Sequence, residues 1–318
     1  MAFIAFRRLV RAAGLLVLAG VIGAAAASAD PVTLRIGVQK YGTLIIARER
    51  KALERKFAGT EVTVQWNEFP AGPQMLEALG AGSLDLGTVG EAPPVFSQAA
   101  GAPMLYVGNE PAVPSGEAIL VAKDSPIQTL ADLRGKRVAL NKGSNVHFLL
   151  IQALAKGGVE LKDITPVYLT PADGRAAFES GAVDAWVIWD PFLAAAEAAT
   201  SSRVLVDGKG LAPNRQFYIS TRKFAAEHAD LLRAVLGVIK ETDVWSSAHP
   251  DETVTLLSAR TGIPADALKP AVLRLGYGVT PLDAGTVADQ QRIADAFFSL
   301  HLIPAKLTVA DAVWAGPY

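Results

Sequence analysis

Four short runs in this chain combine hydrogen-bond donors with glycine or proline in a way that suits anion binding. Gln39-Lys40-Tyr41-Gly42 supplies an amide and a charge. In Gly87-Thr88-Val89-Gly90-Glu91-Ala92-Pro93-Pro94 the glycines let backbone N–H groups approach a ligand, and Thr88 adds a hydroxyl. The prolines there suit a first helical turn, where a missing N–H costs nothing. Asn141-Lys142-Gly143-Ser144-Asn145-Val146-His147 offers Ser144 as a helix N-cap with free N–H groups behind it. Lys142 adds charge to that run, and His147 adds a ring donor. Trp186-Val187-Ile188-Trp189-Asp190-Pro191 brings Trp189 as a wall for an apolar tail. Asp190 reads first as a helix N-cap, and second as a partner for a cationic or hydroxyl group of a ligand.

Each run also has an ordinary reading. The first is a surface turn and the second a plain βα turn. His147 alone reads as a partly exposed histidine, and Trp186 fits a core position better than Trp189 does. Thr170-Pro171-Ala172-Asp173 reads as structural, with Thr170 as cap and Pro171 at the first helical position, and Asp173 and Arg175 near the rim of a cleft. Taken together, the runs aim several helix N-termini at one place. Oriented N–H groups there would neutralise a compact anion, each charge–dipole contact contributing roughly 0.3–1 kcal/mol.

Alternating strands and helices must position these runs. The hydrophobic pattern predicts strands at 33–38, 61–66, 84–87 and 104–107, with helices at 43–55, 71–79 and 91–100 between them. A Pro/Gly-rich break at 109–116 follows. A second series has strands at 118–122, 136–140, 165–169, 184–188 and 203–206, with helices at 144–155, 172–179 and 191–199. After a second break at 207–213 and the segment 217–220 the chain turns mostly helical, at 223–247, 250–259, 264–272 and 283–298. Such β–α alternation predicts α/β sheets with parallel strands and ligand contacts beyond their carboxyl ends. Two breaks predict two lobes joined by a double crossover hinge: 30–116 begins lobe I, 117–208 is the inserted lobe II, and 209–318 completes lobe I. A single large α/β domain is the alternative.

The N-terminus sets the compartment. Arg7, Arg8 and Arg11 precede an apolar stretch that ends in Ala27-Ser28-Ala29, the pattern of a secretory signal peptide cleaved near Ala29. The stretch is short for a spanning helix. Arg7-Arg8 resembles the twin-arginine signal only faintly, so general export is expected. Cleavage removes three arginines from the 318-residue chain and moves its net charge from −1 to −4. That charge argues against a nucleic-acid surface. It also leaves the holding of any anion to local donors. The sequence has no cysteine, hence no disulfide, thiol catalyst or lipidated cysteine. It has no zinc-ligand spacing, no Gly-x-Ser-x-Gly elbow, no P-loop and no Gly-x-Gly-x-x-Gly after the first strand. No metal or cofactor is expected.

The run Trp66-Asn-Glu-Phe-Pro-Ala-Gly-Pro-Gln-Met-Leu-Glu-Ala-Leu79 resembles the aliphatic sulfonate-binding proteins of ABC importers, within the nitrate/sulfonate/taurine group. So do Gly101-Ala102, Tyr106-Val-Gly108, Glu110-Pro111, Tyr168-Leu-Thr-Pro-Ala-Asp173 and Val183-Asp-Ala-Trp-Val-Ile-Trp-Asp-Pro191. The resemblance implies a type II periplasmic binding fold in the periplasm, with mixed or parallel sheets. It also implies a monomer that delivers a small organic anion, an alkanesulfonate, to a permease and its ATPase. It places the ligand near Gln39, Thr88, Ser144, Asn145, His147 and Trp189, and Asp190 joins them as the residue that would separate amino-sulfonates from plain ones. Val89 and Glu91 stand where the family often has a second hydroxyl and an aspartate, and Asn145 and Val146 where it often has serines. Backbone N–H groups are therefore expected to do most of the holding. Taurine or nitrate binding is the alternative within this class. A thiamine-pyrimidine-synthesising enzyme of the same fold is the remote one, opposed by the export signal and the lack of cysteine and of a histidine cluster.

Overall fold

The computed structural model describes residues 31–199, 201–316 and 318, so the expected signal peptide lies outside the described residues. The chain builds a first sheet from β1 (Val32–Val38), followed by α1 (Thr43–Glu49) and α2 (Ala52–Lys56); β2 (Val62–Glu68) and α3 (Gly72–Gly80); β3 (Leu86–Gly90) and α4 (Ala92–Ala99); and β4 (Met104–Asn109). The one helix expected at 43–55 is two, because Lys51 takes a left-handed conformation at φ 52° and breaks the hydrogen-bond ladder.

A second sheet follows: β5 (Glu117–Ala122), β6 (Arg137–Leu140), α5 (Asn145–Lys156), β7 (Thr165–Tyr168), α6 (Pro171–Glu179), β8 (Ala185–Trp189), α7 (Phe192–Ala198) and β9 (Ser202–Asp207). The chain then returns to the first sheet with β10 (Gln216–Thr221). It ends in α8 (Arg222–Glu227), α9 (Ala229–Ala248), α10 (Pro250–Thr261), α11 (Ala265–Arg274) and α12 (Ala284–Ser299).

The strand orders are β2-β1-β3-β10-β4 and β7-β6-β8-β5-β9. The two sheets therefore share one plan: three parallel strands, then an antiparallel one, then a last strand parallel to the first three. In each sheet the antiparallel strand, β10 or β5, is the one that enters by a crossing from the other sheet. The geometry requires this. The previous strand ends at the cleft, so a short crossing delivers the next strand at the cleft end of the other sheet, running away from it. Purely parallel sheets would need long returns. The crossings lie side by side: Val113 N–H donates to Pro213 O at 3.0 Å, and Gly208 N–H to Pro114 O at 2.9 Å.

Buried apolar residues fill both faces of the first sheet, and β3 and β4 are buried along their whole length. The C-terminal α12 joins the halves. Phe297 packs on Phe96 of α4, with ring centroids 4.7 Å apart, and on Phe148 of α5 at 6.0 Å.

Candidate functional site

The carboxyl ends of both sets of parallel strands face each other, and two connected chambers lie between them. The smaller, about 30 Å³, is lined by Gln39, Gly72, Gly90, Pro93, Ser144, Asn145, Trp189, Asn214 and Gln216. None of these nine residues is charged. The larger, about 370 Å³, shares Gln39, Trp189 and Gln216 with it and extends over Phe69, Phe192 and Leu275.

Three helices begin at the small chamber: α3 at Gly72, α4 at Ala92 and α5 at Asn145. The residues before them, Ala71, Glu91 and Ser144, make no side-chain cap. Thr221 and Asp283, by contrast, cap α8 and α12. In the first turn of α5 His147 N–H donates to Ser144 O at 3.0 Å, while the N–H groups of Asn145 and Val146 have no partner among the described residues, and a helix N-terminus carries about half a positive charge. Pro73, Pro93 and Pro94 add no donors, so few N–H groups are available and their placement matters. Glycine is required at 72: a Cβ there would lie 2.9 Å from Pro93 Cγ and hold α3 off α4. The arrangement suits a compact anion carrying one charge, with an apolar substituent in the larger chamber.

The structure separates the expected site residues. Gln39, Ser144, Asn145 and Trp189 line the small chamber. Thr88 does not. Strand β3 continues to Gly90, so Thr88 lies inside the strand, and its carbonyl accepts from Gln39 Nε2 at 3.2 Å. His147 does not line it either. Its ring is fully buried beside Phe96, Phe297 and Tyr168, and its Nδ1 accepts from Gly143 N–H at 3.3 Å. Burial, with Lys142 nearby, pushes His147 down to about 4, so the ring is neutral and Nε2 carries the proton. Lys142 lies over the Tyr168 ring at 5.4 Å, outside both chamber linings. Ser144 occupies the N-cap position, but its hydroxyl donates to Asn141 O at 2.7 Å. Val89 and Val146 are fully buried in the core, so no hydroxyl is lost from the chamber at those positions.

Asp190 lines the larger chamber with both oxygens engaged. It accepts from Arg274 Nε at 2.8 Å and Arg274 Nη2 at 2.9 Å, and from Ala194 N–H at 3.1 Å. The expected pairing with a ligand cation is replaced by this internal ion pair. Glu68, the other carboxylate of the larger chamber, pairs with Arg48 and Arg260.

Sequence reasoning missed Gly72, Asn214 and Gln216 as lining residues. Pro70-Ala71-Gly72-Pro73 carried a usable signal, a helix start with glycine at its first position. Asn214 and Gln216 sit where the second crossing ends, and no local pattern marks them.

Behind the small chamber lies a buried acidic pair. Glu91 accepts Arg215 N–H at 3.0 Å through one oxygen, while its other oxygen and both oxygens of Glu117 have no partner among the described residues. Burial pushes Glu91 up to about 7 against the Arg215 N–H bond; burial and repulsion by Glu91 push Glu117 well above the usual carboxylate range. Arg215 pairs with Asp289 of α12 at 3.3 Å.

The profile of the NMT1/THI5-like family matches residues 56–253. Two solved structures are similar over nearly the whole chain. The alkanesulfonate-binding protein SsuA from Xanthomonas axonopodis pv. citri, bound to MOPS, is 42% identical with a TM-score of 0.86, covering 90% of this chain and 99% of that one. The periplasmic aliphatic sulphonate binding protein SsuA from Escherichia coli is 43% identical with a TM-score of 0.82, covering 91% and 94%. The desulfurization enzyme DSZB, at 17% identity and a TM-score of 0.65 over 88% and 96%, shares the fold alone.

Proposed function

The chain belongs to the NMT1/THI5-like family, and on that footing we propose that it captures singly charged organic sulfonates in the periplasm for an ABC importer, without transforming them. One observation carries this reading: a chamber lined by no charged residue, at three helix N-termini, adjoins at Trp189 a larger one whose walls include Phe69, Phe192 and Leu275 along with Lys40, Glu68 and Asp190. The sulfonate head takes the first and the organic tail the second. A sulfonate bears one charge shared by three oxygens, which suits several dispersed N–H donors. Sulfate and phosphate at neutral pH bring a second charge that no cation of the small chamber offsets.

The residues 110–116 and 208–215 act as the hinge. Among the described residues, those of 31–116 and 209–318 form lobe I and those of 117–208 lobe II. The α5 N-terminus, in lobe II, lies at the same small chamber as those of α3 and α4 in lobe I, and opening at the hinge would part them. The larger chamber has room for a ring as large as the morpholine of MOPS, the molecule bound to the relative. Taurine, whose short chain ends in a primary ammonium, is disfavoured, because Asp190 and Glu68 are already paired with arginines. The lining also argues for binding over catalysis: the hydroxyl of Ser144 is held by a carbonyl, and His147 is turned into the core.

Tryptophan fluorescence titration with methane-, butane- and hexanesulfonate, taurine, nitrate and sulfate tests the reading. Affinity should rise along the alkanesulfonates, with taurine, nitrate and sulfate weak. Tight binding of inorganic anions alone, or turnover of any sulfonate, would overturn it.

A further inference from the structure

The side chain of Asn145 crosses the cleft. Asn145 opens α5 in lobe II, and its Nδ2 donates to Asn214 Oδ1 at 2.8 Å, with both residues buried. Asn214 lies on the returning crossing, and its own Nδ2 donates to Val113 O, on the outgoing crossing, at 3.0 Å. A carbonyl can only accept, so Val113 fixes the orientation of the Asn214 amide. That leaves Oδ1 facing Asn145. The backbone of Asn214 is left-handed, at φ 50°, a conformation that asparagine adopts more readily than other non-glycine residues. On the lobe I side, a Cβ added at Gly90 would collide with the amide atoms of Asn145, so the amide occupies the place of a side chain at 90. The first turn of α5 is thus tied to both crossings and seated against the main chain of lobe I.

We propose that Asn214 is a positioning residue for anion capture, a latch that holds the Asn145 end of α5 over the small chamber and keeps the cleft closed. The role assigned to Asn145 changes with it: its side chain serves closure, and its backbone N–H serves the anion. The latch rests on the sulfonate reading for its purpose but not for its geometry. Because it acts on closure, its loss speeds release and leaves capture untouched.

Stopped-flow fluorescence with hexanesulfonate, on wild type, Asn214→Gly, Asn145→Ala and the double variant, tests this. Glycine keeps the left-handed backbone and removes only the amide. The dissociation rate should rise about 5- to 10-fold in each single variant, the usual range for one lost hydrogen bond, with association within about twofold. The double variant should match the singles instead of multiplying them. Gly90→Ala, which keeps both asparagines but puts a methyl group where the Asn145 amide sits, should behave likewise. Without any sulfonate added, hydrogen exchange at residues 147–150 should be faster in Asn214→Gly than in wild type. Unchanged dissociation, multiplicative effects, or unchanged exchange in Asn214→Gly would overturn the latch. Failure of wild type to bind any sulfonate would overturn the functional reading alone, because the exchange experiment still reads the latch.

Discussion

Trp189 is the residue on which the division of labour between the chambers turns. It lines both, and it packs against the apolar interior on either side of its strand. Each methylene added to an alkanesulfonate should tighten binding by up to about 0.8 kcal/mol while the larger chamber fills. Trp189→Ala should flatten that slope while changing methanesulfonate little; a parallel slope, measured by calorimetry, would remove the ring from the tail site. The buried acids govern pH dependence. Glu91 and Glu110 are pushed up to about 7 and about 8 by burial, and Glu117 higher than the usual range. Between an ordinary carboxyl value near 4.5 and those values the folded chain binds more protons than the unfolded one, so stability falls as pH rises through that window. His147 acts oppositely: it is neutral in the fold and charged when unfolded, so stability falls as pH drops from about 6.5 to about 4. The melting temperature should therefore be lower at pH 8 than at pH 6, with a smaller difference in Glu117→Gln; a rise from pH 6 to pH 8 would contradict this. The sequence marked Trp189 and Ser144 because both sit at strand-to-helix junctions. It misplaced Thr88 and His147 because a side chain's direction depends on where a strand ends and what packs on a helix.

At the scale of elements, the three helices at the small chamber start without side-chain caps, as α1, α2, α7, α9, α10 and α11 also do, and are set apart by starting together at one chamber. Thr221 caps α8 by accepting Phe224 N–H at 3.1 Å, so Thr221→Ala should lower stability by about 1 kcal/mol in chemical denaturation and leave sulfonate affinity alone. Ser144→Ala removes no cap, and the hydroxyl hydrogen it removes is held by Asn141 O. Sulfonate affinity should then stay within about threefold of wild type, since the backbone donors remain. A loss of two orders of magnitude would make the hydroxyl the main donor. The positions of strands and helices were legible from periodicity, including both breaks. Strand direction was not: β5 and β10 show the same apolar pattern as their parallel neighbours, and only the crossings force them antiparallel. The helix break at His228, like that at Lys51, left no hydrophobic signature.

For the whole molecule, the crossings are supplemented by an ion cluster. Arg274 of α11 binds Asp190 and, at 3.0 Å, Glu197 of α7, joining the C-terminal helices to the second sheet. Asp190 is buried and Arg274 partly exposed, so Arg274→Ala, which strands the carboxylate, should cost about 1–3 kcal/mol in chemical denaturation. Asp190→Asn added to it should recover part of the loss, and simple additivity of the two would argue against the pairing. None of this was visible in sequence, because residues 190 and 274 meet only once the chain has returned from the second sheet. The central claim is that an uncharged chamber of backbone donors holds the head of a sulfonate. Its most direct test is the crystal structure of the hexanesulfonate complex. The expected result places the sulfonate oxygens on the N–H groups at the starts of α3, α4 and α5, with the chain running past Trp189 toward Phe69 and Leu275. A sulfonate seated instead on Lys40 or Lys142, outside the small chamber, would contradict it.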